Sequence, residues 1–238
     1  MVSSAVFRII ISALGFFILY LIIACQEKEN SNQLINAVVH GQQLDTGEHN
    51  CNIDTLRNIL LNGIDINAVN EYGNTALHYA AWACWGELAN DSEVVQILVD
   101  HGASIHAKNK KGMEPIHGAE AAGTRILLRL GVDPNVRSSD GQTALFYADE
   151  CDVVSILVEA GAEVNARDNN SLFGPNATAL HRAAFSDDPE LIACLIKYGV
   201  DPTLANDYGY RPIDIAIKLG NKLAEYTLLQ ADEIISAK

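Results

Sequence analysis

Two short phrases return along the chain, and their spacing constrains the fold more than any single residue does. The first is GNTALHYAA at Gly73 to Ala81, which comes back as GMEPIHGAE from Gly112, GQTALFYAD from Gly141, NATALHRAA from Asn176 and GYRPIDIAI from Gly209. The equivalent positions Thr75, Glu114, Thr143, Thr178 and Arg211 lie 39, 29, 35 and 33 residues apart, an average of 34. The second phrase keeps the same beat: NGIDIN from Asn62, HGASIH from His101, LGVDPN from Leu130, AGAEVN from Ala160 and YGVDPT from Tyr198. Self-similarity at that period is the mark of a stacked array in which no single unit buries its own apolar face, so the units fold together.

The residues between the phrases say what each unit contains. Thr75 and Thr178 suit helix starts, where a side-chain oxygen meets an orphan amide, and His78, His117 and His181 can bond back to the same turn. Ala80, Ala81, Ala183 and Ala184 are small enough for the first helix of each pair to approach its neighbours closely. The second helices carry apolar residues at helical spacing: Val94, Val95, Ile97 and Leu98; Ile126 and Leu127; Val153, Val154, Ile156 and Leu157; Leu191, Ile192 and Leu195. Each ends at a glycine, Gly102, Gly131, Gly161 or Gly199, the residue that adopts a left-handed cap most cheaply.

The period and both phrases resemble the ankyrin repeat, whose pattern opens near G-x-T-P-L-H-x-A-A and closes near L-L-x-x-G-A-D-V-N. That resemblance implies an all-α solenoid of stacked helix pairs with short β-hairpin fingers, and partners bound on the concave face formed by the fingers and the first helices. The expected divisions are a capping pair at 34–67, repeats at 70–107, 109–137, 139–167 and 168–205, and a C-terminal capping repeat at 206–234, the whole domain running over 34–238. The array is irregular. The first full repeat has about six extra residues within WACWGELANDSE, the second is about four short and the third about three short, so their first helices or inter-helix turns must be clipped. The stretch RDNNSLFGPNAT, Arg167 to Thr178, lengthens one finger.

Ahead of the repeats, Ile9 to Ala24 is apolar but for Ser12, preceded by Arg8 and followed by Gln26, Glu27 and Lys28, a secretory-signal layout. As a helix this run would be about 24 Å long, short of the ~30 Å hydrocarbon core. Its end, Ile22-Ile23-Ala24-Cys25, resembles the lipobox of bacterial lipoproteins, which implies cleavage after residue 24, a lipidated Cys25 and a polar tether over 25–33. Acyl chains would then hold the protein on a membrane of the bacterial cell envelope, and a resemblance to enterobacterial lipoproteins implies, from Gln26 rather than Asp after the cysteine, the outer membrane facing the periplasm. The alternative is an uncleaved inner-membrane signal anchor.

Charge and motif content bound the function. The first 24 residues hold one arginine and no acid, so of the chain's 16 basic and 30 acidic residues the remainder keeps 15 and 30, a formal charge of −15. A nucleic-acid ligand, which needs clustered Lys and Arg, is disfavoured, and basic or polar protein partners are favoured. Cys25, Cys51, Cys84, Cys151 and Cys194 form no CxxC pair. Cys194 falls where Ile97, Ile126 and Ile156 fall and reads as a small core residue; Cys84 and Cys151 lie near turns of nonadjacent repeats, where a bridge between them is a minor alternative. There is no phosphate loop, no recognisable Ser/His/Asp frame and no metal-ligand set, since the shared histidine position holds Phe146 in the third repeat and Asp214 in the last. The expectation is therefore a non-enzymatic binding module with no cofactor, no metal and no small-molecule substrate.

What remains is a binding surface. Carrying the concave positions over, and adding finger aromatics, gives Tyr72, Tyr79, Trp82, Trp85, Tyr147, Leu172, Phe173, Arg182, Phe185, Tyr208 and Tyr210 as candidate partner contacts. Interfaces favour Trp, Tyr and Arg, and an apolar Leu-Phe at a loop tip is costly unless it folds back or meets a partner. A small, acidic, membrane-tethered repeat protein also resembles the immunity lipoproteins that neutralise envelope-targeting toxins such as lipases; a secreted effector acting on host proteins is a further alternative.

Overall fold

The computed structural model describes residues 33–38, 53–82, 91–169 and 172–236. Helix α1 covers 33–38, and α2 covers Ile53–Leu61. Then follow α3 (Ala76–Trp82), α4 (Asp91–Asp100), α5 (Ala121–Arg129), α6 (Ala144–Tyr147), α7 (Cys151–Glu159), α8 (Ala179–Phe185), α9 (Pro189–Lys197), α10 (Pro212–Leu219) and α11 (Lys222–Ser236). No strand occurs among the described residues. The segment that holds Cys25, and the insertion that holds Trp85, lie outside them.

Two layers of helices result. The second helices form a continuous layer in which α4 packs on α5, α5 on α7, α7 on α9 and α9 on α11. In the inner layer α6 packs on α8 and α8 on α10, but α3 packs on α5. The reason is the short second repeat: where its first helix would stand, residues 115–118 make only turns. The third repeat keeps a single helical turn, α6, before Ala148 goes extended at φ −61°, ψ 123°. The residues missing from both repeats are thus taken from the first helices.

The apolar core follows the layers. One cluster gathers Leu34, Leu56, Leu77, Val95 and Leu98; the other runs from Ala81 through Leu127, Leu145, Leu157, Leu180 and Leu195 to Leu228. They meet at α5, whose Ile126 belongs to the first and whose Leu127 belongs to the second. At the last pair the packing register changes character. Ala184, fully buried under α10, is matched 33 positions on by Ile217, which is exposed, and the fully buried Ile192 is matched by Glu225, which pairs with Lys222 at 2.7 Å.

The fingers, expected as β-hairpins, are strandless turns among the described residues, each closed by a side chain. Asn70 Oδ1 accepts from the amides of Tyr72 and Asn74, Asn109 Oδ1 from Lys111 and Met113, and Asn206 Oδ1 from Tyr208 and Tyr210. Ser138 Oγ and Asp168 Oδ1 do the same for Gln142 and Ala177. Such side chains bond a backbone amide a few residues on in place of a regular turn. Successive fingers are then linked by single amide bonds, Lys110 to the Tyr72 carbonyl, Ser139 to Lys111 and Asn169 to Asp140. Close stacking fixes the glycine between them: a Cβ on Gly112, whose φ is +67°, would lie 2.4 Å from Ser139 Oγ. The second helices end as the sequence leads one to expect, with Gly102, Gly131, Gly161 and Gly199 all between φ +92° and +93°.

Candidate functional site

The first-helix starts hold buried histidines, and two of the three are fully bonded. In α8 the Thr178 amide donates to His181 Nδ1 at 3.1 Å, the Thr178 hydroxyl meets the same nitrogen, and Nε2 donates to the Tyr210 carbonyl at 3.0 Å. His78 repeats this with Thr75 and the Met113 carbonyl. His117 keeps the local bond, from the Glu114 amide, but its Nε2 makes no bond of good geometry among the described residues, although the Gln142 and Val136 backbones lie close enough to act on its charge. Burial pushes all three imidazoles below their ordinary range and keeps them neutral. His78 and His181 bind one finger to the next, and none of the three presents anything to solvent. Among the described residues no three His, Cys, Asp or Glu side chains gather as a metal site would require.

Trp82 and Arg182, two of the expected partner contacts, repair the clipped repeats. The indole of Trp82 lies over Gly118, where an added Cβ would come within 3.3 Å of the ring, and its Nε1 donates to the Pro115 carbonyl at 2.8 Å. His78 and Tyr79 flank it edge-on. Arg182 donates to the Ala148 carbonyl, which the shortened α6 leaves without a helical partner, and pairs with Asp149 at 2.6 Å. Tyr79 is half-buried, its hydroxyl accepting from Asn70 and Asn74. Tyr147 donates to Gln142, and burial raises its phenol above the ordinary range.

The remaining residues converge. Leu172 and Phe173 from the long finger, Phe185 from α8, and Tyr208 and Tyr210 from the next finger line one groove of about 250 Å³, together with Ile215, Lys218 and Leu219 of α10. Phe173 stands edge-on to Phe185 at 4.9 Å between centroids, with the Phe146 ring 6.1 Å from it. Leu172 is 83% exposed and Tyr208 68% exposed, while Phe185 keeps 40% of its surface in solvent. The Asn206 amide holds the Phe173 carbonyl, and a Cβ on Gly174 would fall 2.7 Å from the Tyr208 ring, so the two fingers touch here. Tyr72, 62% exposed, stands apart on an earlier finger. Lys218 and Leu219 escaped sequence reasoning because the helix-start pattern ends before them; the available signal was that PIDIAIKL is apolar at more positions than one buried helix face needs. A larger cleft of about 760 Å³ runs between α9 and α11, lined by Ala193, Ile196, Thr227 and Ala231 and away from these residues.

The cysteine expectation needs correcting. Cys151 bonds Cys194, with Cα atoms 5.7 Å apart, inside the range a disulfide spans without backbone movement. Cys194 does sit in the core, 4% exposed, as its register with Ile156 implies. Its partner is the residue that heads α7 in the adjacent repeat. A pairing judged on turn position alone passes over this one, because the first turn of one helix lies against the middle of the next.

A two-layer stack of helix pairs, closed by fingers and offering an aromatic groove on the finger side, defines a repeat solenoid of the interaction-module class. Its units are ankyrin repeats. Family models for ankyrin repeats match residues 82–168 (three copies), 44–84 (many copies) and 175–204 (one repeat). Curated relatives carry similar repeats. "Ankyrin repeat and SOCS box protein 3" of Homo sapiens is 31% identical over 71% of this chain and 33% of its own length. "L-asparaginase" of Dirofilaria immitis is 28% identical over 79% and 31%, and "Nuclear factor NF-kappa-B p105 subunit" of Gallus gallus is 29% identical over 64% and 16%. The chain spans a third or less of each, and the three names share no activity, so the likeness carries the fold and its general use in protein binding rather than any one partner.

Proposed function

We propose that this chain is an exported, lipid-anchored protein of a bacterial envelope whose ankyrin array binds a partner protein through its finger side, without catalytic turnover. The observation that carries the binding reading is the convergence of Leu172, Phe173, Phe185, Tyr208 and Tyr210, from successive repeats, on one exposed groove. Aromatic and large aliphatic side chains left in water at a concave junction are the usual anchors of a protein interface. Export is supported independently by the Cys151–Cys194 bond, because structural disulfides form and persist in oxidising compartments and are rare in the cytosol. The lipobox Ile22-Ile23-Ala24-Cys25 supplies the anchor in this reading, with the outer membrane as the destination.

Capture from a cross-linked envelope fraction tests the binding claim. The full chain is expected to retain a partner that Leu172→Asp with Tyr208→Ala loses by at least about tenfold, with no more than a few degrees of change in melting temperature; undiminished capture would remove the groove as the binding face. If the captured protein is a toxin, protection on co-expression identifies an immunity role. Mass spectrometry of the mature N-terminus tests the anchor, where an intact Met1 with unmodified Cys25 would overturn it.

A further inference from the structure

The groove differs from the chain as a whole in the sign of its charge. The chain carries 30 acidic residues against 16 basic ones, yet among the described residues the single ionisable group besides the tyrosines that lines the groove is Lys218. Its ammonium lies 4.5 Å from the centroid of the Tyr210 ring and 3.3 Å from the Tyr210 hydroxyl. It enters none of the ion pairs found among the described residues. A cation held on an aromatic face at the rim of an apolar groove keeps its charge available to an incoming anion. The apolar wall is already arranged: Phe173 is in ring contact with both Phe146 and Phe185, and Tyr208 is seated on Gly174, so filling the groove orders little that is not ordered beforehand.

The volume decides the size of the occupant. At about 250 Å³ the groove is below the range of drug-sized ligand pockets and suits one large side chain. Resting on the binding reading above, we propose that it receives a large apolar residue of the partner, aromatic or long aliphatic, that carries a carboxylate beside it, and that this carboxylate pairs with Lys218. The arrangement fits a partner whose chain ends in that residue, so that its C-terminal carboxylate reaches Lys218. Lys218 is the one cation among the residues that line this groove, so it fixes where and in which register the partner docks.

The test uses the full chain in detergent solution, with N-acetyl-L-tryptophan and N-acetyl-L-tryptophan amide as probes, followed by saturation-transfer NMR titration. The two probes differ only in the carboxylate. The acid is expected to bind with a Kd on the order of 1 mM, and the amide about two- to fivefold more weakly, the range of a partly exposed ion pair. Lys218→Met should abolish that preference while leaving the amide's affinity unchanged. Phe173→Ala should weaken both probes several-fold. Equal binding of acid and amide to the parent protein, or a preference that survives Lys218→Met, overturns the proposal. Lys218 is on the surface, so its replacement decides the matter even if Phe173→Ala does not fold. Partner capture that still depends on Leu172 and Tyr208 while the probes fail would sink this inference alone and leave the binding reading standing.

Discussion

The second and third repeats have each lost most of a first helix, yet the molecule secures them by different means. In the second, a side chain from the preceding repeat enters the gap: Trp82 covers Gly118 and donates to the Pro115 carbonyl, while the Glu120 amide donates to the Ala81 carbonyl and brings α5 against α3. In the third, the following repeat supplies the repair: Arg182 meets the Ala148 carbonyl and Asp149, and a disulfide joins the head of α7 to the middle of α9. The lesson is that a repeat array tolerates deletion within a unit when a neighbour supplies both the missing apolar surface and the missing hydrogen-bond donor. Either one alone leaves a buried carbonyl orphaned or a hole unfilled.

Removing the covalent repair is the largest expected break. The bridge closes a separation of 43 residues, for which chain-entropy arguments give about 4 kcal/mol at room temperature. Cys151→Ser with Cys194→Ser should therefore lower the midpoint of chemical unfolding markedly, and reduction of the parent chain should reproduce the shift. If the double variant unfolds where the parent does, the third repeat is held by packing and Arg182 alone. Next in size is a contrast between histidines at one register position. His181→Phe removes the bonds of both ring nitrogens and leaves the Thr178 amide and the Tyr210 carbonyl unpaired, a loss of about 3 kcal/mol. His117→Phe, by contrast, removes one bond and an already unpartnered nitrogen, and should cost less than about 1 kcal/mol. Phe146 occupies that position in the third repeat without harm to its burial. Equal losses for the two variants would show that the clipped second repeat binds its next finger as firmly as a complete one does.

Trp82→Ala comes third, at about 2 kcal/mol, below the 3 to 5 kcal/mol of a fully enclosed tryptophan because this ring is only partly buried. The loss should fall on the junction of the two core clusters at α5, so amide hydrogen exchange is expected to rise in α3 and α5 before it rises in α8 to α10. A uniform rise along the array would mean that the clipped repeat is no weaker a joint than the rest.

Much of this architecture was legible in the chain, for identifiable reasons. Period, helix pairs and glycine caps follow from local rules: the Gly102, Gly131, Gly161 and Gly199 positions need φ above zero, and the apolar spacing in the second helices needs only a 3.6-residue period. The length deficits of the second and third repeats were countable, and their placement in the first helices follows because the second helices must bury the continuous layer. The roles of Trp82 and Arg182 were not readable. A tryptophan at a first-helix position looks like an interface anchor until the neighbour's missing helix is known to leave room for it. The same blindness applies to Cys151 and Cys194, since pairing depends on the rotation of two helices about their axes. The groove was half visible: the aromatic members announced themselves, but Lys218 and Leu219 join them only through the close packing of α10 on α8.

Acid sensitivity gives the finest test of the contrast between complete and clipped repeats. His78, His117 and His181 are buried, and burial holds each below its ordinary value of 6.5 in the folded chain. A base whose folded pKa is depressed takes up its proton in the unfolded state first, so its contribution is intact above pH 6.5 and falls as the pH drops below that value. The fall ends where the folded histidine itself begins to titrate. Within that window each histidine contributes a slope of at most about 1.4 kcal/mol per pH unit. Since His117→Phe costs little at neutral pH, it should reduce the acid slope by roughly a third while leaving the neutral-pH midpoint nearly unmoved. Unfolding midpoints at pH 7.5, 6.5 and 5.5, measured on both chains, give the two slopes. Parallel lines would mean that His117 titrates in the folded protein as freely as in the unfolded one, and that its unpartnered nitrogen reaches water through the clipped repeat.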